Sequence, residues 1–233
     1  MSRTARPLVL GIAVLAAWLR RDLVVRAIRT IDRRSGIASS VGTGLYARFA
    51  ARFTRPLRRH VVDEAAEHLA LDGSGLVIDI GCGPGDLVVD LAQRLPDARV
   101  VGVDPSPDML RHARATAGAS SVGDRVSFVD GGAERLPFAD GSVDIAVSTL
   151  SAHHWPDASA AFAELARVLR PGGIARIHDI RFAAYGPGEI DDLGRRAGLP
   201  SGAPTHEVCD LRLGPVRPLI VYSLTGGPLG PDR

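Results

Sequence analysis

Hydrophobic positions between residues 76 and 180 follow two patterns that alternate along the chain. Short, nearly continuous apolar runs predict buried strands, and stretches with apolar residues three or four apart predict helices. The predicted strands are Leu76–Ile80, Arg99–Val103, Val126–Val129, Val143–Ser148 and Ile174–Ile180. The predicted helices between them are Leu87–Leu95, Pro107–Ala117 and Ala158–Leu169. Strands that alternate with helices in this way are typical of a parallel sheet with helices on both faces.

The chain on either side of this region completes the predicted domain. A helix at Glu189–Ala197 is followed by candidate strands at Val208–Leu213 and Val216–Leu224, and helical spacing also extends from Tyr46 to Leu69. The fold class predicted is therefore α/β, a Rossmann-like, doubly wound, mostly parallel seven-stranded sheet with helices on both faces. Residues 41–233 form this domain, and residues 1–40 form a helical N-terminal arm.

The arm is both apolar and basic. Leu8–Leu19 is an apolar stretch of 12 residues, whereas a helix that spans a bilayer needs about 20. Leu23–Ile31 has the spacing of an amphipathic helix with arginines on its polar side. Three interpretations stay open. The arm packs on its own domain or on the second subunit of a homodimer, it lies on a membrane surface, or it serves as an export signal or anchor, although Arg20 and Arg21 stand where a cleavage site would follow.

Charge and cysteine content limit the binding partners and the cellular location that we expect. Residues 1–60 contain 13 arginines and two acids, a net charge of about +11, whereas the rest contains 15 arginines and 24 acids. A basic arm suits anionic lipid headgroups, and without interleaved aromatic residues a nucleic acid partner is not favoured. The two cysteines, Cys82 and Cys209, provide neither a disulfide framework nor zinc-binding spacing, so no metal site is expected. We expect a cytoplasmic protein, peripheral on the inner face of the membrane if the arm binds lipid.

A glycine-rich turn, Gly81-Cys82-Gly83-Pro84-Gly85, follows the first predicted strand. In a doubly wound sheet the ligand lies at the carboxyl ends of the strands, so this turn should line the binding crevice. Its G-x-G-x-G spacing differs from the G-x-G-x-x-G of dinucleotide-binding folds. The carboxylate of Asp79, two residues before the turn, would repel a pyrophosphate and attract a cationic sulfonium that carries an amino acid. An ordinary tight turn is the alternative interpretation.

Asp104 closes the second predicted strand, 23 residues after Gly81. An acid at roughly this offset commonly accepts hydrogen bonds from ribose hydroxyls. Capping of the helix that begins near Pro107 is the alternative role for this side chain.

Four segments of the chain resemble, in order, the motifs of class I S-adenosylmethionine-dependent methyltransferases, of the type 11 branch that includes ubiquinone and menaquinone methylases. They are Val77–Gly85, Gly102–Ser106, Ala133–Phe138 and Arg167–Gly173. The resemblance implies S-adenosylmethionine as cofactor and a small-molecule acceptor, with a lipophilic acceptor suggested by the branch. The cofactor site that it implies comprises Asp79, Gly81, Cys82, Gly83, Gly85, Asp104, Pro105, Met109, Ala133, Glu134 and Ser148.

One position departs from that family pattern. The residue before Ala133 is commonly Asp, which would accept from the adenine amino group, but here it is Gly132. Either Asp130 substitutes for it or the backbone alone holds adenine.

Candidate bases follow the fourth predicted strand, where His153 and His154 should lie near the methyl group or the acceptor. Paired histidines at this point are also an ordinary packing or capping feature of the family. The function predicted is in-line transfer of a methyl group from S-adenosylmethionine to a small, lipophilic acceptor. The alternatives are a non-catalytic scaffold of the same fold and a nicotinamide-dependent oxidoreductase.

Overall fold

The computed structural model describes residues 54–69, 74–181, 184–200, 203–211 and 219–227. Its α-helices are α1 (Arg55–His68), α2 (Asp86–Arg94), α3 (Pro107–Gly118), α4 (Ala158–Val168) and α5 (Pro187–Arg196). Its strands are β1 (Gly75–Ile80), β2 (Ala98–Asp104), β3 (Val126–Asp130), β4 (Val143–Thr149), β5 (Leu169–Ile180), β6 (Thr205–Val208) and β7 (Leu219–Thr225). The arm predicted for residues 1–40 lies outside the described residues, so its interpretations stay predictions.

The seven strands form one sheet in the order β3-β2-β1-β4-β5-β7-β6. Strands β1 to β5 are parallel, and β7 runs antiparallel to both β5 and β6. This arrangement confirms the predicted doubly wound, mostly parallel sheet. Strands β1, β2 and β3 follow one another toward one edge of the sheet, and β4 and β5 follow one another toward the other edge. The strand order therefore reverses between β1 and β4. The carboxyl ends of β1 and β4 therefore border the crevice in which such sheets bind ligands.

The sheet is buried on both faces because its strands carry apolar residues on both sides. Helices α1, α2 and α3 pack on one face around Val77, Val100 and Ile145. Helices α4 and α5 pack on the other face, over Ile78 and Val101. The helices packed on both faces of the sheet hold in place the strand ends that carry the candidate site.

Most bounds in the described part of the chain agree with the prediction to within one residue, and strands β5 and β6 differ by more. Strand β6, Thr205–Val208, begins three residues and ends five residues earlier than predicted, because its position is set by antiparallel pairing with β7. Strand β5 begins at Leu169 because that residue pairs with Val143 before the register shifts, and regular pairing resumes at Ile174. Within the part of the chain that the structure describes, none of the helices combines the length and apolar character needed to cross a membrane.

Candidate functional site

The glycine turn lies at the carboxyl end of β1, as predicted, and is held against β2. The backbone N–H groups of Gly81 and Cys82 both donate to the carbonyl of Val103, at 2.8 and 3.0 Å. All three glycines of the turn have positive φ: +73° at Gly81, +52° at Gly83 and +83° at Gly85. L-residues rarely adopt this conformation, so the turn requires glycine.

The three glycines differ in what a side chain would meet. A Cβ at Gly81 would collide with the side chain of Ser151, and one at Gly85 would lie 2.9 Å from the Cβ of Ala113. Packing therefore accounts for both positions. A Cβ at Gly83 would meet no atom within 4 Å. Gly83 thus presents bare backbone to open space, as a loop that is approached closely by a ligand must do.

Asp104 connects the end of β2 to this turn. Its Oδ2 accepts the N–H of Gly83 at 2.9 Å, and its Oδ1 accepts the N–H of Ser106 at 2.9 Å. Burial nevertheless raises the pKa of its carboxyl, against these two hydrogen bonds. Helix α3 is capped by the side chain of Ser106, which accepts the N–H of Met109 at 3.4 Å. The capping role considered for Asp104 is thus filled by Ser106, and each Asp104 oxygen keeps acceptor capacity for a hydroxyl group.

Asp79, near the end of β1, is a buried carboxyl without a partner. It is 1% exposed, and its Oδ1 has no hydrogen-bond partner among the described residues. Burial, reinforced by the negative charge of Asp104, raises its pKa to about 8. A carboxyl in this state requires a cation or a donor from outside the protein before it ionises at neutral pH.

Two of the predicted cofactor residues have side chains that are buried within the protein. The thiol of Cys82 is buried against β2, and burial raises its pKa. The hydroxyl of Ser148 donates to the carbonyl of Ile80 at 2.8 Å and ties β4 to β1. Direct contact of either residue with a ligand stays a prediction.

The segment after β3 places the side chain of Glu134 against Gly132. A Cβ at Gly132 would lie 2.7 Å from the Oε2 of Glu134, so the Glu134 carboxylate fills the space that a side chain there would take. The Oε1 of Glu134 accepts the N–H of Asp157 at 3.2 Å. Asp130 is exposed at the end of β3, in register with Asp104. Of the other predicted residues, Pro105 is exposed, Met109 is half-buried and Ala133 is buried.

The two candidate bases differ in their surroundings. His153 is buried, and its Nδ1 lies 2.7 Å from the Oδ1 of Asp179, at the end of β5. The Oδ2 of Asp179 accepts the backbone N–H of His153 at 2.8 Å. His154 is exposed, and its ring centroid lies 3.9 Å from that of His153. The structure therefore fixes the orientation of His153 through a buried carboxylate.

Sequence reasoning missed Asp179 and Ser151. The same rule that selected Asp104 could have found Asp179, since it also lies at the carboxyl end of a parallel strand. Ser151 carries no such signal, because its contact with Gly81 arises only through the bend after β4. At this bend Leu150 has a φ of +55° and donates its N–H to the carbonyl of His178 at 2.8 Å.

Comparison with known proteins identifies the domain. Residues 77–173 match the sequence profile of a methyltransferase domain. This stretch contains the turn, both carboxyls and the histidine pair. It forms a class I S-adenosylmethionine-dependent methyltransferase domain, and S-adenosylmethionine is its cofactor. The methyltransferase domain resembles those of the ubiquinone and menaquinone type, as its motifs predicted.

Curated relatives and a solved structure extend this comparison. Demethylmenaquinone methyltransferase of Deinococcus radiodurans is 37% identical over 119 residues, 51% of this chain and 47% of the relative. Malonyl-[acyl-carrier protein] O-methyltransferase of Dechloromonas aromatica is 34% identical over 163 residues, 61% of this chain and 58% of the relative. This chain thus spans about half the length of these relatives. A solved protein structure from Methanococcus maripaludis shares the fold, with a TM-score of 0.64, 20% identity and coverage of 82% of this chain and 94% of that chain.

The residues present in the methyltransferase domain fit its cofactor. The bare backbone at Gly83 leaves room for a ligand to approach, and the unpartnered oxygen of Asp79 suits a group with positive charge. Asp104 offers charged acceptors beside them. S-adenosylmethionine carries a sulfonium, an ammonium and ribose hydroxyls, so its chemistry complements these three features.

Cofactor binding should release a proton from Asp79. Because the pKa of this carboxyl is about 8 in the free protein, it is mostly protonated at pH 6.5, and a cationic ligand favours its ionised form. We expect nearly one proton released per cofactor bound at that pH, with affinity rising as the pH approaches 8. Calorimetry in buffers of different ionisation enthalpy measures the proton count.

Asp79→Asn is the matched control for this measurement. The variant keeps the shape of the side chain but cannot ionise, and any proton uptake by the ligand itself is common to both proteins. Proton counts that are equal in the variant and the original protein would exclude Asp79 from the linkage.

Proposed function

We propose that the whole chain transfers a methyl group from S-adenosylmethionine to a small, lipophilic acceptor. The observation that carries this proposal is the open backbone at Gly83 together with two buried carboxyls at the same strand ends, Asp79 and Asp104. When bound, the cofactor supplies an electrophilic sulfonium methyl group, which a nucleophilic atom of the acceptor displaces in line. The protein's part is to align the reactants and exclude water.

Each part of the site has a distinct task in this proposal. Asp79 ionises to hold the positively charged amino-acid end, and Asp104 accepts hydrogen bonds from the ribose hydroxyls. Asp104 also braces the glycine turn through the N–H of Gly83. Glu134 and the backbone at Gly132 border the adenine in place of the carboxylate that the family pattern has there. None of these groups needs to move a proton once the cofactor is in place.

Where the methyl acceptor must lose a proton during the reaction, His153 takes up that proton as the general base. A carboxylate only accepts hydrogen bonds, so the short contact with Asp179 places the proton of a neutral His153 ring on Nδ1. The other nitrogen, Nε2, then carries a free electron pair and serves as base. Asp179 is suited to this positioning role because it is fully buried and also accepts the backbone N–H groups of His153 and Ile180.

We expect His153→Asn to lower kcat by roughly 100-fold or more, the usual contribution of a general base. The dissociation constant of the cofactor should stay nearly unchanged, because the proposed role of His153 is in the transfer step. His154→Asn is the comparison, because the two rings are adjacent and the ring contact with Asp179 is made by His153. Equal loss of kcat in both variants, or an unchanged kcat in His153→Asn, would rule out this assignment.

The lipophilic character of the acceptor rests on two supports. One curated relative is named for demethylmenaquinone, and another, 27-O-demethylrifamycin SV methyltransferase of Amycolatopsis mediterranei, for a rifamycin; it is 35% identical over 119 residues. The apolar and basic composition of residues 1–40 also suits an enzyme that collects substrate at a membrane surface.

The proposal is tested by incubating the full chain with methyl-labelled S-adenosylmethionine and a panel of quinones, polyketides, lipid precursors and small polar acids. Mass spectrometry identifies any methylated product, and Gly83→Val protein is the inactive control. Methylation of a lipophilic member supports the proposal. Methylation of polar acids alone would contradict the acceptor class, and cofactor binding without turnover on any member would favour a non-catalytic scaffold.

A further inference from the structure

A second group of reactive side chains lies outside the cofactor site. His60, His178 and Cys209 each offer one ligand atom, and these three atoms lie within 4.8 Å of one another. They come from helix α1, strand β5 and the segment after β6. His178 and Cys209 are buried, and His60 is half-buried. The rings of His60 and His178 meet edge to face, with centroids 5.7 Å apart.

Buried polar atoms in this group lack the partners that a closed protein core would provide. Both ring nitrogens of His178 and the Oε2 of Glu64 have no hydrogen-bond partner in the described part of the chain. The Nε2 of His178 lies 3.1 Å from that Glu64 oxygen, but the two are not aligned for a hydrogen bond. Leaving such groups unsatisfied costs about 1 to 3 kcal/mol each. This fully buried imidazole has the Glu64 carboxylate near Nε2, without an aligned hydrogen bond, and no hydrogen-bond partner at Nδ1, which points to a missing ligand.

The charges around the group favour a divalent cation. The other oxygen of Glu64, Oε1, contacts Arg176 at 2.6 Å, and Arg176 also lies 3.3 Å from Glu207. Arg176 therefore has a second carboxylate partner in Glu207, and Glu64 contacts Arg176 through Oε1 and faces the group through Oε2. A divalent cation bound by this carboxylate and a thiolate of Cys209 would leave the cluster neutral, which a partly buried site requires.

We propose that His60, His178, Cys209 and the Oε2 of Glu64 bind one zinc ion. Two imidazoles, a thiolate and a carboxylate are ligands that zinc accepts in tetrahedral geometry, at about 2.0 to 2.3 Å each. The coordinating atoms must then approach to roughly 3.5 Å of one another, which the half-buried side chain of His60 allows. Coordination displaces the proton of the Cys209 thiol to solvent.

The ion would connect three parts of the chain that are distant in sequence. Helix α1 supplies His60 and Glu64 from consecutive turns, β5 supplies His178, and Cys209 follows β6. The neighbouring residue on β5, Asp179, belongs to the cofactor side of the molecule through His153. Zinc binding would thus fix α1 and the β6 segment against the strand that also carries the proposed positioning residue. The proposal does not depend on methyl transfer.

The test uses the untagged full chain, stripped with a chelator and then loaded with zinc or cobalt. We expect one zinc per chain after gel filtration, measured by elemental analysis, and a higher unfolding temperature in the presence of zinc. Cobalt should give the visible bands of a tetrahedral site together with a near-ultraviolet sulfur-to-cobalt charge-transfer band. Absence of retained metal, without any change in unfolding temperature, would overturn the proposal in favour of a Glu64–His178 ion pair.

Variants assign the ligands. His60→Ala and Cys209→Ser should each weaken zinc binding by at least about 100-fold, and Cys209→Ser should also lose the charge-transfer band. His68→Ala on the same helix and Cys82→Ser at the other cysteine are the matched controls and should bind metal normally. His60→Ala changes a half-buried residue, so it tests the site even if Cys209→Ser fails to fold. Equal zinc binding in all variants would also overturn the proposal.

Discussion

Gly83→Val is expected to abolish cofactor binding while most of the fold is retained. A valine at a φ of +52° is strained by about 1 to 3 kcal/mol, but its Cβ would meet no protein atom within 4 Å. The new side chain would instead occupy the space that a ligand on the turn requires. Calorimetry with S-adenosylhomocysteine should detect no binding, which means a loss of more than about 100-fold.

Gly172→Val is the matched control for this variant. Gly172 also has positive φ, +77°, and a Cβ there would likewise meet nothing within 4 Å. It lies near the amino end of β5, opposite the carboxyl edge of the sheet. The two variants should lose similar stability, and only Gly83→Val should lose binding. Normal binding by Gly83→Val, or equal loss of binding in both, would show that the glycine turn is merely structural.

Asp104→Ala is expected to weaken cofactor binding by about 10- to 100-fold. Hydrogen bonds to a charged acceptor contribute roughly 1.5 to 3 kcal/mol, and each 1.4 kcal/mol is a factor of ten in affinity. The variant also leaves the N–H groups of Gly83 and Ser106 without their observed acceptor, so the unfolding temperature should fall as well. Binding is measured by calorimetry below that temperature.

Asp130→Ala provides the comparison for Asp104→Ala. Asp130 is in register with Asp104 on β3 but is exposed. Its removal should change affinity by less than a factor of about three, unless Asp130 takes the adenine contact that Gly132 cannot make. Unchanged affinity in a folded Asp104→Ala protein would remove Asp104 from the cofactor site.

The sequence predicted the sheet and the turn because both depend on local patterns. Apolar runs separated by helical spacing located β1 to β5, and the residue type alone indicated positive φ at glycines 81, 83 and 85. Strand β6 was misplaced because it is short and exposed, and pairing with β7 sets its position more than its own composition does. The bounds of edge strands depend on neighbours that local reasoning does not see.

Side-chain partnerships could be predicted less well than strand ends. The sequence proposed His153 and His154 together, and only the fold shows that the ring of His153 contacts Asp179. The sequence also showed Gly132 as a departure from the family, but not that Glu134 fills its space. Likewise, ligand atoms at positions 60, 178 and 209 have no recognisable spacing, and the sheet and α1 bring them together.

The central claim is that the glycine turn and its two carboxyls bind S-adenosylmethionine. Titration calorimetry of the full chain with S-adenosylhomocysteine and, separately, with NAD tests it most directly. The account predicts one S-adenosylhomocysteine bound per chain and no heat of binding with NAD. Binding of NAD without S-adenosylhomocysteine, or of neither ligand by the folded protein, would contradict it.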